Sequence, residues 1–108
     1  DVTLEDVKQL VRDFAAAGKW VAAICAAPTV LARAGVLEGK RATCFPAAEN
    51  EMGGAKLSRE EVVVDGQFVT SRGVGTAIPF ALRLIEVFES AEKAEEIRRQ
   101  IVFRTSES

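Results

Sequence analysis

Apolar positions along the chain switch between helical and strand-like spacing, and the switches mark its elements. Val2, Leu4, Val7, Leu10, Val11 and Phe14 recur on one stripe, with Glu5, Asp6, Lys8, Gln9, Arg12 and Asp13 elsewhere. That spacing predicts an amphipathic helix over residues 2–17. Thr3 with Asp6 forms a capping-box pattern, Asp1 is the other N-cap candidate, and Gly18 is a natural stop. Trp20–Cys25 is apolar without alternation, as in a strand buried on both faces of a parallel sheet. Pro28–Ala34 predicts a helix with proline in its first turn, ended by Gly35. Arg41–Phe45 predicts a second strand stopped by Pro46, and 47–52 a short helix or turn before Gly53-Gly54.

The C-terminal part continues the pattern. Residues 62–71 carry a hairpin signature, with Asp65-Gly66 supplying the turn between two β-rich runs. Arg72–Gly75 is a tight turn. Thr76–Phe88 predicts a long apolar helix that tolerates Pro79 only in its first turn, with Thr76 as the cap. Ala91–Arg99 predicts another helix capped by Ser90, Ile101–Phe103 a last strand, and 104–108 a polar tail. Strand–helix alternation implies an α/β sandwich with helices on both sheet faces.

Composition narrows the function classes. With 108 residues, one domain is expected and two are excluded. Fourteen Lys and Arg against sixteen Asp and Glu give a net charge of −2, without a basic run, so neither nucleic acid nor an acidic membrane is an expected partner. The longest apolar stretch, Trp20–Ala32, is too short to span a bilayer. The chain contains no His, which excludes His-based dyads, triads and zinc sites within it. Two Cys imply no disulfide framework, so a reducing compartment, the cytoplasm, is expected. The opening Asp1-Val2-Thr3-Leu4-Glu5 has no basic n-region and no initiator Met. No signal peptide is expected, and a trimmed chain or internal piece fits.

Cys25 carries the candidate chemistry. It sits where a buried strand ends and a helix begins, with the small residues Ala23 and Ala27 two positions either side. Small neighbours at that spacing mark a nucleophile elbow, a turn that lifts its side chain out at the carboxyl edge of the sheet. The N–H groups of the following helix favour a thiolate there. The plain alternative is a buried structural cysteine. Cys44, in an apolar strand, reads as a small core residue; its sharper reading is a resolving thiol for an oxidised Cys25. Arg72–Thr76 lacks the lysine and glycine spacing of a phosphate loop. Glu49 and Glu51 read as a solvated face, and Trp20 as a packing residue.

Two segments resemble one family. Ala22-Ala23-Ile24-Cys25-Ala26-Ala27-Pro28-Thr29 resembles the cysteine elbow of the ThiJ/PfpI family. Thr70-Ser71-Arg72-Gly73-Val74-Gly75-Thr76-Ala77 resembles its Thr-Ser-Arg-Gly-Pro-Gly-Thr turn. Gly39–Pro46, the Val62–Gly66 hairpin and the helix from Phe80 follow in the family's order. The chain departs from the pattern at Val74, where Pro is usual, and at Phe45, where some members place His.

The resemblance implies a flavodoxin-like three-layer sandwich with a mostly parallel sheet, of which residues 1–108 are the C-terminal part. It implies a cysteine-dependent enzyme of glyoxalase-like or deglycase-like chemistry, acting on small carbonyl compounds or glycated groups without metal or organic cofactor. Cys25 would be the nucleophile and the Ala26 backbone N–H an oxyanion donor, with Gly73, Val74 and Gly75 shaping the pocket wall. The Glu that hydrogen-bonds the family's cysteine, and much of the usual homodimer interface, belong to a first half not found here. The N-terminal fragment of the same protein is therefore an expected partner, and this piece alone is expected to be inactive. The competing functional reading is a redox-sensing or chaperone protein of the oxidative-stress response that uses the same cysteine.

Overall fold

A computed structural model describes residues 3–100. Helix α1 spans Leu4–Ala16, and both capping-box hydrogen bonds are made. Asp6 N–H donates to Thr3 Oγ1 at 3.1 Å and Thr3 N–H to Asp6 Oδ2 at 3.0 Å. Gly18, at φ +73°, turns the chain into strand β1, Val21–Ile24. Helix α2 is Pro28–Arg33 and strand β2 is Arg41–Ala42. A 3-10 helix over Pro46–Glu51 leads to strand β3, Lys56–Leu57. The hairpin strands β4 and β5 are Val62–Asp65 and Phe68–Ser71. A 3-10 turn, Val74–Thr76, leads into helices α3, Ala77–Phe88, and α4, Ala91–Gln100.

The main sheet has the order β1-β5-β4. Strand β1 runs parallel to β5, pairing Ala23 with Thr70 and Ile24 with Ser71, while β4 and β5 are antiparallel. Strands β2 and β3 form a second parallel pair. Alternation along the strands divides the packing. Ala23 and Phe68 join Leu31, Leu37, Ala42, Cys44, Ala48 and Met52 in one core, with Val11 and Ala15 of α1 against it. Helix α3 packs on β4 and β5 and buries Leu82.

Two expectations change, and one strand is new. The strand expected over Arg41–Phe45 pairs only at Arg41–Ala42, because its continuation bonds elsewhere. Thr43 N–H donates to the Thr70 hydroxyl at 2.9 Å and Phe45 N–H to Cys25 O at 2.7 Å. Strand β3 is two residues long, too short for any alternation to announce it. Thr76 precedes α3 but its hydroxyl does not cap it; it turns back to the Ser71–Gly73 segment. Ser90 does cap α4, accepting from Lys93 N–H at 3.0 Å. The last strand proposed for Ile101–Phe103 and the Asp1 cap lie outside the described residues.

Strand β1 lies at the edge of its sheet among the described residues. On this side apolar surface stays open: Leu10 and Phe14 of α1 and Trp20 remain exposed. Together with Val11, Val21 and Ala22 they line a groove of about 230 Å³. Trp20 does pack, edge-to-face on Phe88 with ring centroids 5.7 Å apart.

Candidate active site

The residue after β1, Cys25, has φ +64° and is the only non-glycine with a positive φ among the described residues. A β-carbon in the left-handed region costs energy, and such a conformation persists where its surroundings over-determine it. Here two elements hold it. Cys25 N–H donates to Ser71 O at 3.2 Å, extending the β1–β5 ladder by one residue. Cys25 O accepts from Phe45 N–H at 2.7 Å. Ala27 N–H returns to Ile24 O at 3.2 Å, closing the turn, and Pro28 starts α2 at once. The result is the sharp strand–turn–helix expected of an elbow, with Cys25 half-buried.

The neighbouring small residues differ. Ala23 is buried against the core, but Ala27 is exposed, so tight packing limits bulk on one side of the turn only. Ala26 is exposed, and among the described residues its N–H meets no acceptor. Gly73 comes to the sulfur: a methyl group built on it would lie 3.8 Å from Cys25 Sγ and 3.5 Å from Phe45 Cδ1. Its φ of 171° is ordinary extended backbone. Val74 and Gly75 lie on the open side of the turn, Val74 being 89% exposed.

A polar clamp holds this turn, and it is the part of the site that motif reading missed. The Thr76 hydroxyl meets Ser71 Oγ at 2.7 Å, accepts from Gly73 N–H at 3.0 Å and Arg72 N–H at 3.2 Å, and donates to Gly73 O at 2.9 Å. Arg72, with only 16% of its side chain exposed, donates to Cys44 O at 3.1 Å, Arg59 O at 3.3 Å and Glu49 Oε2 at 2.5 Å. Glu49 also accepts from Arg59. It is thus not a freely solvated carboxylate, because Arg72 draws it onto the turn. The Arg59 hydrogen bond, with a further one from Arg72, lowers its pKa against the opposing effect of burial. Glu51 does stay on the surface, paired with Arg33. The available signal was the arginine inside Thr70–Thr76, a charged residue between a strand and a glycine turn.

Cys44 is fully buried. Burial, then the Glu49 charge, raises its thiol pKa, with Arg72 acting in the opposite sense. Among the described residues no three His, Cys, Asp or Glu side chains gather as a metal-holding group, and no helix is long and apolar enough to cross a membrane.

A parallel strand ending in a left-handed cysteine ahead of a helix defines a flavodoxin-like α/β protein with a cysteine elbow. The DJ-1/PfpI family model matches residues 2–87, and the chain belongs to that family. Protein dj-1beta of Drosophila melanogaster is 40% identical over 98 residues, covering 89% of this chain and 52% of the fly protein. Glutathione-independent glyoxalase DJR-1.2 of Caenorhabditis elegans is 34% identical over 97 residues, covering 88% of this chain and 52% of the worm protein. The crystal structure of Drosophila DJ-1beta matches with a TM-score of 0.83 at 38% identity, covering 94% of this chain and 55% of that one. "Toxoplasma gondii DJ-1, oxidized" matches with a TM-score of 0.83 at 34% identity, covering 93% and 55% of the two chains. This chain spans about half the length of these curated relatives.

Proposed function

We propose that this chain supplies the cysteine-bearing half of a DJ-1/PfpI domain that acts on reactive carbonyls or glycated groups, with glyoxalase-like or deglycase-like chemistry. The observation that carries the reading is the left-handed backbone of Cys25, held from two sides at the carboxyl end of a parallel strand. Strain of that kind gathers at functional sites. A worm relative described as a glutathione-independent glyoxalase supports the substrate class.

In this reading the Cys25 thiolate attacks the carbonyl carbon. The unpartnered Ala26 N–H donates to the oxygen as it gains negative charge. Gly73 leaves room beside the sulfur, while Val74 and Gly75 form the outer wall. Conversion of methylglyoxal and water to lactate is an internal redox change, so it needs no external oxidant or organic cofactor. Glu49 is engaged by Arg72 and Arg59 and does not assist Cys25.

The other half of the site comes from a second segment. The edge position of β1, the apolar groove beside it and the half-length match to the relatives support an N-terminal fragment of the same protein as the partner. Its strands would continue the sheet past β1 and cover Leu10, Phe14 and Trp20. Homodimerisation of the completed domain and a cytoplasmic location belong to the same proposal.

The test follows lactate formation from methylglyoxal by the complete protein and its Cys25→Ala variant. Turnover lost in the variant is expected; equal turnover overturns the reading. Residues 1–108 expressed alone should be inactive and self-associating on size exclusion. A soluble, exchange-protected monomer with full activity would overturn the two-segment site.

A second reading is redox sensing through the same thiol, favoured by a relative solved in an oxidised form. Peroxide titration with mass analysis of the Cys25 peptide separates the two. Oxidation at low peroxide without carbonyl turnover selects the sensor.

A further inference from the structure

We infer that Phe45 is a specificity-determining residue of the Cys25 site, making it select α-oxoaldehydes with an aryl or branched alkyl substituent over those with a methyl or carboxylate group. This inference rests on the carbonyl-directed reading of Cys25. Phe45 follows two fully buried residues, Thr43 and Cys44, yet is itself 48% exposed. Its position is fixed, because its N–H donates to Cys25 O at 2.7 Å. Its ring points to the sulfur's side of the turn. Around the point 3.8 Å from Cys25 Sγ where a Gly73 methyl would sit, the other nearest atoms are Phe45 Cδ1 at 3.5 Å and Cε1 at 3.9 Å. A space about one methyl group wide is therefore bounded by the reactive atom and an aromatic edge.

The rest of the rim agrees. Val74, next to Gly73, exposes nearly all of its isopropyl group. The charged groups of this region are occupied elsewhere: Arg72 is spent on Cys44 O, Arg59 O and Glu49, and Glu49 on Arg72 and Arg59. An anionic substituent finds no free cation in that clamp, while an aryl group covers the Phe45 ring, gaining apolar burial and an aromatic contact. A methyl substituent can touch the ring edge but covers less of the ring than an aryl group does.

Initial rates of the complete protein on phenylglyoxal, methylglyoxal and 2,3-dioxopropanoate, the oxoaldehyde with a carboxylate substituent, test this directly. Phenylglyoxal should exceed methylglyoxal in kcat/KM by about tenfold, the usual scale for filling an apolar subsite, with 2,3-dioxopropanoate slowest. Phe45→Ala should collapse the phenylglyoxal-to-methylglyoxal ratio to within about twofold, and Phe45→Leu should keep an intermediate ratio. The same comparison runs without turnover. N-phenyl iodoacetamide should alkylate Cys25 faster than iodoacetamide does in wild type, after correction for their rates on free cysteine, and Phe45→Ala should remove that advantage. A ratio that survives Phe45→Ala, or a wild type that favours methylglyoxal, overturns the assignment. Loss of turnover on every oxoaldehyde with the alkylation preference intact would remove the carbonyl reading and leave aromatic selection supported.

Discussion

The two cysteines stand in similar places and meet opposite surroundings. Cys25 follows β1 directly, and Cys44 lies two residues beyond β2. Both are bordered by the same turn after β5: Gly73 lies against Cys25 Sγ, and Arg72 binds the Cys44 carbonyl. Cys25 has a left-handed backbone and a partly open side chain. Cys44 has neither; it is sealed in the core, where burial holds its proton on. The contrast teaches that the exposure of a thiol comes from backbone direction at a strand end, not from residue type. The chain lifts one thiol toward solvent by a strained turn and packs the other as a small apolar group.

The most severe break of that contrast is deletion of each thiol. Cys25→Ala should lower carbonyl turnover of the complete protein by on the order of a thousandfold or more, as removal of a nucleophile does. Cys44→Ala should instead cost stability, about 1–2 kcal/mol for lost core volume, read by urea melts. Equal losses of turnover in the two variants would erase the distinction.

Differential alkylation sharpens it next. Limiting iodoacetamide on the folded complete protein should label Cys25 about a hundredfold faster than Cys44, and denaturant should bring the two rates together. Faster labelling at Cys44 would reverse the assignment. Cys44 also sets a pH dependence. Its raised pKa means that the unfolded chain releases this proton first as pH climbs past the ordinary value of 9.0. Its contribution to stability is therefore full below that value and is lost above it. Denaturation midpoints of wild type should fall more steeply with alkaline pH than those of Cys44→Ala.

Arg72 links the two sites. Arg72→Met leaves the carbonyls of Cys44 and Arg59 without their donor and should destabilise the protein by about 2–3 kcal/mol. It should also bring Cys44 alkylation closer to that of Cys25, because the loop over Cys44 loses its clamp. A melting curve unchanged from wild type would show that the clamp holds nothing.

Gly73→Ala carries the smallest effect. Its methyl group would sit at ordinary contact distance, 3.8 Å from Cys25 Sγ and 3.5 Å from Phe45, without backbone strain. Stability should stay within about 1 kcal/mol, while Cys25 alkylation slows about three- to tenfold and Cys44 alkylation does not change. An unaltered Cys25 rate would mean that reagents approach the sulfur from another side.

Much of this was legible where a few adjacent residues decide the outcome. The Thr3–Asp6 cap, the Gly18 stop, the Ser90 cap and the Gly66 turn each rest on local backbone geometry, and each forms. The Cys25 elbow was legible for the same reason, as small residues around a cysteine between strand and helix signatures. Less of the site surrounding it was. Glu49 and Arg72 lie 23 positions apart, and no local rule pairs them. Phe45 reads as a strand residue until the Thr70 hydroxyl and the Cys25 carbonyl draw its segment out of the ladder.

By itself, then, the sequence determined the order of elements, the turn chemistry and the cysteine at the strand end, because these follow from side-chain periodicity and the conformational range of single residues. The tertiary structure alone decided that Cys25 takes a left-handed backbone, that Gly73 faces both its sulfur and the Phe45 ring, and that Arg72 binds three acceptors behind the turn. These contacts join segments 13 to 48 positions apart. Their geometry exists only once β1 and β5 have paired and brought the ends of both strands to one edge of the sheet.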